Sequence, residues 1–197
     1  MSSPTARSHS VIGDVPYHPK ISNIVAGVDL CCLIDLKLIA LHVRNSTYNP
    51  KRFPAVVLRI KEPKATALVF HRGKMQILGT KSVADAHLAG RKFARILEKQ
   101  GFNTKFENFN VQNVVASVDT KMAIRLEGIA AHPAHYQFAR YEPELFPGLC
   151  YRVESPKVTF LVFSTGKVVA VGARSVEHIH EAWQKMYPIL VGFRIDA

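Results

Sequence analysis

The chain has no long apolar run and no cleavable leader pattern, so neither a membrane span nor secretion is expected of it. Cysteine is scarce. Cys31, Cys32 and Cys150 are an odd number without paired spacing, which argues against a disulfide framework and makes a poor zinc site. Reduced thiols in the cytoplasm or nucleus are the plain reading. Catalytic signatures are missing as well: no phosphate-cradling Gly-rich motif, no nucleophile elbow, no zinc-protease pattern. His132 and His135 have helical spacing, but Pro133 interrupts it; His178 and His180 lack it. No Cys or carboxylate completes either pair as a metal site. The close pair Glu142 and Glu144 could hold one Mg²⁺, but carboxylates are otherwise scattered. No metal, no cofactor and no enzymatic activity are therefore expected. Acidic residues are outnumbered, 15 Asp+Glu against 26 Lys+Arg, for a net charge of +11. That surplus favours a polyanionic partner, nucleic acid first and acidic membrane second.

What the chain does contain is a repeat. Tyr48-Asn-Pro-Lys-Arg-Phe-Pro54 returns as Tyr141-Glu-Pro-Glu-Leu-Phe-Pro147, a shift of 93 positions (141 − 48). Arg59 returns as Arg152, Leu68-Val69-Phe70 as Leu161-Val162-Phe163, Gly73-Lys74 as Gly166-Lys167, and Gly79 as Gly172. Matched aromatics, prolines and glycines at one spacing indicate a structural unit used twice. Two such halves packed together form a saddle or arch with approximate two-fold symmetry. The expected division is a disordered Ser- and Pro-rich tail at 1–17, a first repeat at 18–106 and a second at 107–197.

Ile21–Leu30 reads as a strand, matched by Val111–Thr120; both contain Asn-x-Val-Ala-x-Val-Asp. Short helices are expected at Leu36–Val43 and Leu126–Ala131. Strands follow at Val56–Ile60, Ala65–His71 and Met75–Leu78, with turns at Glu62-Pro63-Lys64 and Arg72-Gly73-Lys74. Their counterparts are Cys150–Val153, Val158–Ser164 and Val168–Val171. A long helix is expected from about Val83 to Gln100, capped by Ser82 and stopped by Gly101. Its apolar stripe is Ala86, Ala89, Phe93, Ile96 and Leu97. The equivalent helix follows Ser175, with stripe Val176, Ile179, Ala182, Trp183 and Met186, and ends before Pro188. Each half is thus strand, helix, several antiparallel strands, helix: an α+β arrangement with the helices on one sheet face. The other face has nothing left to cover it.

Alternation assigns that uncovered face. It carries Asn23, Val25 and Gly27 from the first strand, and Asn113, Val115 and Ser117 from its counterpart. Thr66, Leu68, Phe70, Gln76 and Leu78 join them from one half, and Thr159, Leu161, Phe163, Val169 and Val171 from the other. Arg52, Arg59, Lys74 and Lys81 flank the first set; Arg152, Lys157, Lys167 and Arg174 flank the second. A broad exposed apolar surface marks a binding site, and a basic rim suits phosphates.

These residues carry a resemblance. Leu41-His-x-Arg-Asn-x-x-Tyr-Asn-Pro-Lys-Arg-Phe53, Arg125-Leu-Glu-Gly128 and Tyr141-Glu-Pro-Glu-Leu-Phe-Pro-Gly-Leu149 resemble the core of the eukaryotic TATA-box-binding protein family, from about residue 20 to 190. The resemblance implies a ten-stranded saddle on the DNA minor groove. Phe53 with Phe70, and Phe146 with Phe163, would each wedge one base step. Asn23 and Asn113 would hydrogen-bond acceptors near the centre of the site. Val25, Val115, Leu68, Leu161 and Val169 would touch the groove floor. This family is the standard example of minor-groove kinking, so the kink enters with the resemblance. It also implies a nuclear initiation factor that nucleates preinitiation-complex assembly on promoter DNA. Arg91, Lys92, Arg95 and Lys99 would dock transcription factor IIA or repressors on the convex face, and Glu142 and Glu144 would contact transcription factor IIB. TBP-associated factors are further implied partners. Pairing with a second copy through the apolar underside stays open.

The chain departs from the family at several positions. The family has Val and Thr, spaced by one residue, after each Gly-Lys; here stand Gln76-Ile77-Leu78 and Val169-Ala170-Val171. Both threonines are absent. Gly27 stands where a small polar residue is common, and Pro54 replaces an Ala. The expectation is a minor-groove binder whose A·T preference is relaxed or altered in one half-site. The alternatives are a related paralogue acting mainly as a protein scaffold, with weak or altered DNA preference, and a nucleic-acid enzyme or RNA-binding module.

Overall fold

The structure is a computed structural model and describes residues 17–195. Residues 1–16 of the expected tail lie outside the described residues. Tyr17, at its end, has its ring tilted at 48° against Tyr187, with centroids 6.1 Å apart, and its carbonyl accepts a hydrogen bond from Trp183 Nε1 at 2.6 Å.

The elements run β1 (Lys20–Asp29), α1 (Leu36–His42), β2 (Ser46–Thr47), β3 (Ala55–Ile60), β4 (Ala65–Phe70), β5 (Lys74–Thr80), α2 (Val83–Glu98) and β6 (Glu107–Asp119). Then come α3 (Leu126–Ala131), β7 (Ala139–Arg140), β8 (Leu149–Val153), β9 (Val158–Val162), β10 (Lys167–Ala173) and α4 (Val176–Gly192). All strands join one antiparallel ten-stranded sheet in the order β2-β3-β4-β5-β1-β6-β10-β9-β8-β7. The order reads the same outward from the central β1–β6 pair in both directions, as a repeated unit requires.

Each long helix begins where its serine cap dictates. Ser82 Oγ accepts from the Asp85 amide at 3.0 Å, and Ser175 Oγ from the His178 amide at 3.2 Å. These bonds satisfy amides that the first helical turn leaves without partners. The apolar stripes of α2 and α4 then lie on one face of the sheet. Phe93, Leu97, Trp183 and Met186 are buried against strand residues such as Val69, Ile77, Phe160 and Val162. Removing each such large side chain from water contributes about 1.5–3 kcal/mol. There are two core clusters, one under each half, and Phe109 packs against both. Ile24 and Ala26 of β1 belong to the second-half core, whereas Val28 belongs to the first. The halves are therefore joined through their central strands.

The structure differs from the sequence reading at one helix. Helix α4 does not stop before Pro188; it continues to Gly192. Proline lacks an amide proton and costs about 3 kcal/mol inside a helix. The stripe nevertheless continues past it, because Leu190 is fully buried and Ile189 packs on the core. Strand β6 also starts four residues earlier than expected, at Glu107 rather than Val111. Its polar start, Glu-Asn-Phe-Asn, carries no strand pattern. The two-residue edge strands β2 and β7 are too short to show periodicity.

Candidate nucleic-acid interface

The helices leave the opposite sheet face open, and the alternating side chains of β4, β5, β9 and β10 on that face are half-buried while their neighbours are fully buried. At the centre, Asn23 pairs with Val115 and Val25 with Asn113 across β1 and β6. Four residues thus form a square with two-fold symmetry.

The orientation of both asparagine amides follows from the backbone. Gly79 and Gly172 sit at φ +91° and +90°, a region where a Cβ is strained. Pairing registers slip beside them, between Ile24 and Ala26 on β1 and between Ala170 and Ala173 on β10. Such bulges release an amide from the ladder. The Gly79 N–H donates to Asn23 Oδ1 at 2.8 Å, and the Gly172 N–H donates to Asn113 Oδ1 at 2.8 Å. With each oxygen held, the Nδ2 amino group is the part of each amide left to donate.

Toward each end of the sheet stands an aromatic pair. Phe53 and Phe70 have ring centroids 6.0 Å apart at 62°, and Phe146 and Phe163 5.9 Å apart at 63°. Edge-on contact of this kind fixes ring direction. Phe53 is 42% exposed and Phe146 38%, high values for phenylalanine. A Cβ at Gly148 would come within 2.7 Å of the Phe146 ring and 3.1 Å of the Phe163 ring, so the glycine leaves room for that pair. Between centre and ends run Leu68, Gln76 and Gly27 in one half, and Leu161, Val169 and Ser117 in the other, each paired across the strands. Leu78 and Val171 sit opposite Thr66 and Thr159.

The basic rim is exposed at all eight positions: Arg52, Arg59, Lys74, Lys81, Arg152, Lys157, Lys167 and Arg174. The halves differ in how these charges are engaged. Lys74 donates to Asp29 Oδ2 at 2.5 Å. That bond, with the Cys31 amide, holds the Asp29 carboxyl below its ordinary range. In the other half Asp119 pairs with Lys121 at 2.7 Å instead of with Lys167.

On the convex side, the row along α2 is partly engaged within the protein. Arg91 lies 4.9 Å from the Phe106 ring centroid, and Lys92 donates to the Glu62 carbonyl at 2.6 Å. Lys185 makes the matching bond to the Ser155 carbonyl in the second half. Arg95 and Lys99 are exposed. Glu142 pairs with Arg140 at 2.9 Å, and Glu144 is exposed beside it.

Three residues of the face were not singled out from sequence: Gln112, Gly79 and Gly172 in their amide-holding roles. The glycines were visible in the repeat, but their φ was not. Gln112 alternates with Asn113 and so should face the core. The β1–β6 register slips between Val25 and Ala26, which turns Gln112 toward the open face.

The histidine loop holds a ring pair. His132 and His135 have centroids 5.0 Å apart, and His135 Nδ1 lies 3.1 Å from the Tyr151 hydroxyl. Burial, then the charge of His132, pushes the His135 imidazole below its ordinary value. Among the described residues no group of three or more His, Cys, Asp or Glu is placed to hold a metal ion.

The sequence model described as "Transcription factor TFIID (or TATA-binding protein, TBP)" matches residues 18–100 and 108–193. The chain belongs to the TATA-binding protein family. It is 54% identical over 182 residues to the TATA-box-binding protein of Candida albicans, covering 92% of this chain and 76% of that protein. Identity to the Schizosaccharomyces pombe TATA-box-binding protein is 56% over 176 residues, 89% of this chain and 75% of that one. The solved Methanococcus jannaschii TBP superposes with a TM-score of 0.75 at 34% identity, over 88% of this chain and 98% of that one. The sheet is thus the saddle of this family, a family of DNA-binding transcription factors rather than enzymes.

Proposed function

We propose that the chain is a general transcription initiation factor that lays its open sheet along the minor groove of promoter DNA. The observation that carries this is the symmetric placement of two exposed phenylalanine pairs outside two oriented asparagine amides, all on one uncovered face. Phe53 with Phe70 and Phe146 with Phe163 enter two base steps and kink the duplex. Unstacking costs a few kcal/mol per step and is offset by apolar contact from Val25, Val115, Leu68 and Leu161 and by phosphate contacts at the rim. Asn23 and Asn113 donate to the minor-groove acceptors N3 and O2, which every A·T pair presents. The two halves, 18–106 and 107–197, each supply one wedge. The family membership supports a nuclear site of action and assembly of the preinitiation complex on the bound saddle.

Gel-shift titration with a TATA duplex, a GC-rich duplex and an RNA of equal length tests this. The TATA duplex should bind tightest, and its affinity should fall steeply with salt as phosphate counterions are released. Equal binding of the RNA, or an affinity indifferent to salt, would count against it. A second reading, a scaffold paralogue with weak or altered DNA preference, is favoured by Gln76 and by the missing threonines; weak, unselective duplex binding in the same titration would support it.

The proposed protein contacts are Arg95 and Lys99 for transcription factor IIA or repressors on the convex face, with Arg91 and Lys92 in the same row. Glu142 and Glu144 are proposed for transcription factor IIB, and TBP-associated factors are proposed on the remaining surface. Charge reversal at Glu142 and Glu144 is expected to weaken transcription factor IIB capture about tenfold or more in a pull-down while DNA affinity changes less than twofold. Loss of bare DNA binding in that variant would remove the assignment. Without DNA, the apolar face is where a second copy would pair.

A further inference from the structure

One position of the open face carries an amide where its mirror image carries an aliphatic side chain. Gln76 on β5 is paired with Gly27 on β1 and with Leu68 on β4. Its counterpart Val169 is paired with Ser117 and Leu161. Gln76 Nε2 donates to Gln112 Oε1 at 3.3 Å. The Gln112 amide lies in the space above Gly27: an ideal Cβ there would be 2.3 Å from Gln112 Nε2 and 3.0 Å from its Cδ. Gly27 thus leaves room for this position of the flexible Gln112 side chain, and its backbone conformation does not call for glycine. Any side chain at 27 would push Gln112 away. The register slip between Val25 and Ala26, which passes over Gln112, is what brings that side chain to this face.

The three residues act as one unit. Gln112 Oε1 accepts from the amino end of Gln76, which leaves Gln76 Oε1 free to accept. In the minor groove, A·T and T·A pairs present only acceptors, and the guanine N2 amino group is the single donor. A free acceptor is thus matched by guanine and mismatched by adenine or thymine. With one of its two amino hydrogens held by Gln112, Gln76 has a single hydrogen left to offer an A·T acceptor, whereas its oxygen is wholly free to accept. We propose that the Gln76–Gln112 pair above Gly27 is a specificity element that recognises the guanine amino group, so that the half-site under the first repeat accepts a G·C pair that the half-site under the second repeat refuses. Gln76 contacts the base and Gln112 is a positioning residue. This rests on the minor-groove reading above, and it gives the bound site a direction.

The test uses the unaltered protein and changes the DNA. Duplexes carry a G·C or an inosine·C pair at each position of the site in turn; inosine lacks only the minor-groove amino group. Affinity is read by fluorescence anisotropy and bending by energy transfer between labelled ends. At one position, in one half only, G·C should bind about fivefold to tenfold tighter than inosine·C. Gln76→Val should abolish or invert that ratio at the same position, and Gln112→Ala should reduce it. A ratio is insensitive to partial unfolding, which lowers both affinities alike. If inosine·C binds as well as or better than G·C at every position while the duplex still bends, the inference is overturned and the minor-groove reading stands. If neither duplex binds or bends, the minor-groove reading falls and takes the inference with it.

Discussion

Replacing Phe53 and Phe146 together by alanine is expected to abolish the DNA bend while leaving salt-sensitive association in place. Each ring stands at the tip of its pair, exposed to 42% and 38%, with Phe70 or Phe163 about 6 Å behind it. Neither is a core residue, so truncation removes a wedge without opening a cavity. A wedge must supply apolar contact worth the few kcal/mol that unstacking a step costs. Without it, the duplex relaxes toward straight and meets less of the curved sheet. The eight rim cations remain, so association at low salt should persist but with affinity reduced by roughly 10- to 100-fold, each tenfold being about 1.4 kcal/mol. Energy transfer across an end-labelled TATA duplex measures the bend. A bend that survives both substitutions would refute the wedge role.

Asn23→Asp with Asn113→Asp should have a still more selective effect. Each asparagine oxygen accepts a glycine amide at 2.8 Å, and an aspartate oxygen can do the same. The fold should therefore survive, with a melting temperature within a few degrees of the parent. What changes is the other end of each amide. A donor becomes a carboxylate facing groove acceptors and flanking phosphates. The loss should be at least about 100-fold in affinity for the TATA duplex, or about 3 kcal/mol. Asn→Ala at the same positions should instead lower stability as well, because Gly79 and Gly172 would lose their acceptors. Affinity within threefold of the parent in the aspartate variant would show that these amides do not face the groove.

Much of the architecture was legible in the sequence because it is written twice. The 93-residue shift tied each strand and helix to a second copy, and the sheet order mirrors that symmetry about β1 and β6. Alternation put Val69, Ile77 and Val162 under the helices, and all three are fully buried. The caps at Ser82 and Ser175 are short-range chemistry and form where their spacing implies. The misreading at Pro188 has a tertiary cause. A local rule stops the helix there, but buried Leu190 lies beyond the proline and holds the chain helical.

Side-chain pairing was not legible. The bond from Lys74 to Asp29 and the bond from Lys92 to the Glu62 carbonyl join residues far apart in sequence. The bulges that orient the asparagines and turn Gln112 outward are register shifts between strands, and no single strand records its partner's register. By itself the sequence determined the repeat, the two faces of the sheet and the positions of the four phenylalanines, because periodicity and duplication are properties of one chain read locally. Only the tertiary structure decided which end of each amide is held and that Gln76, Gln112 and Gly27 meet, because those facts depend on how neighbouring strands align against one another.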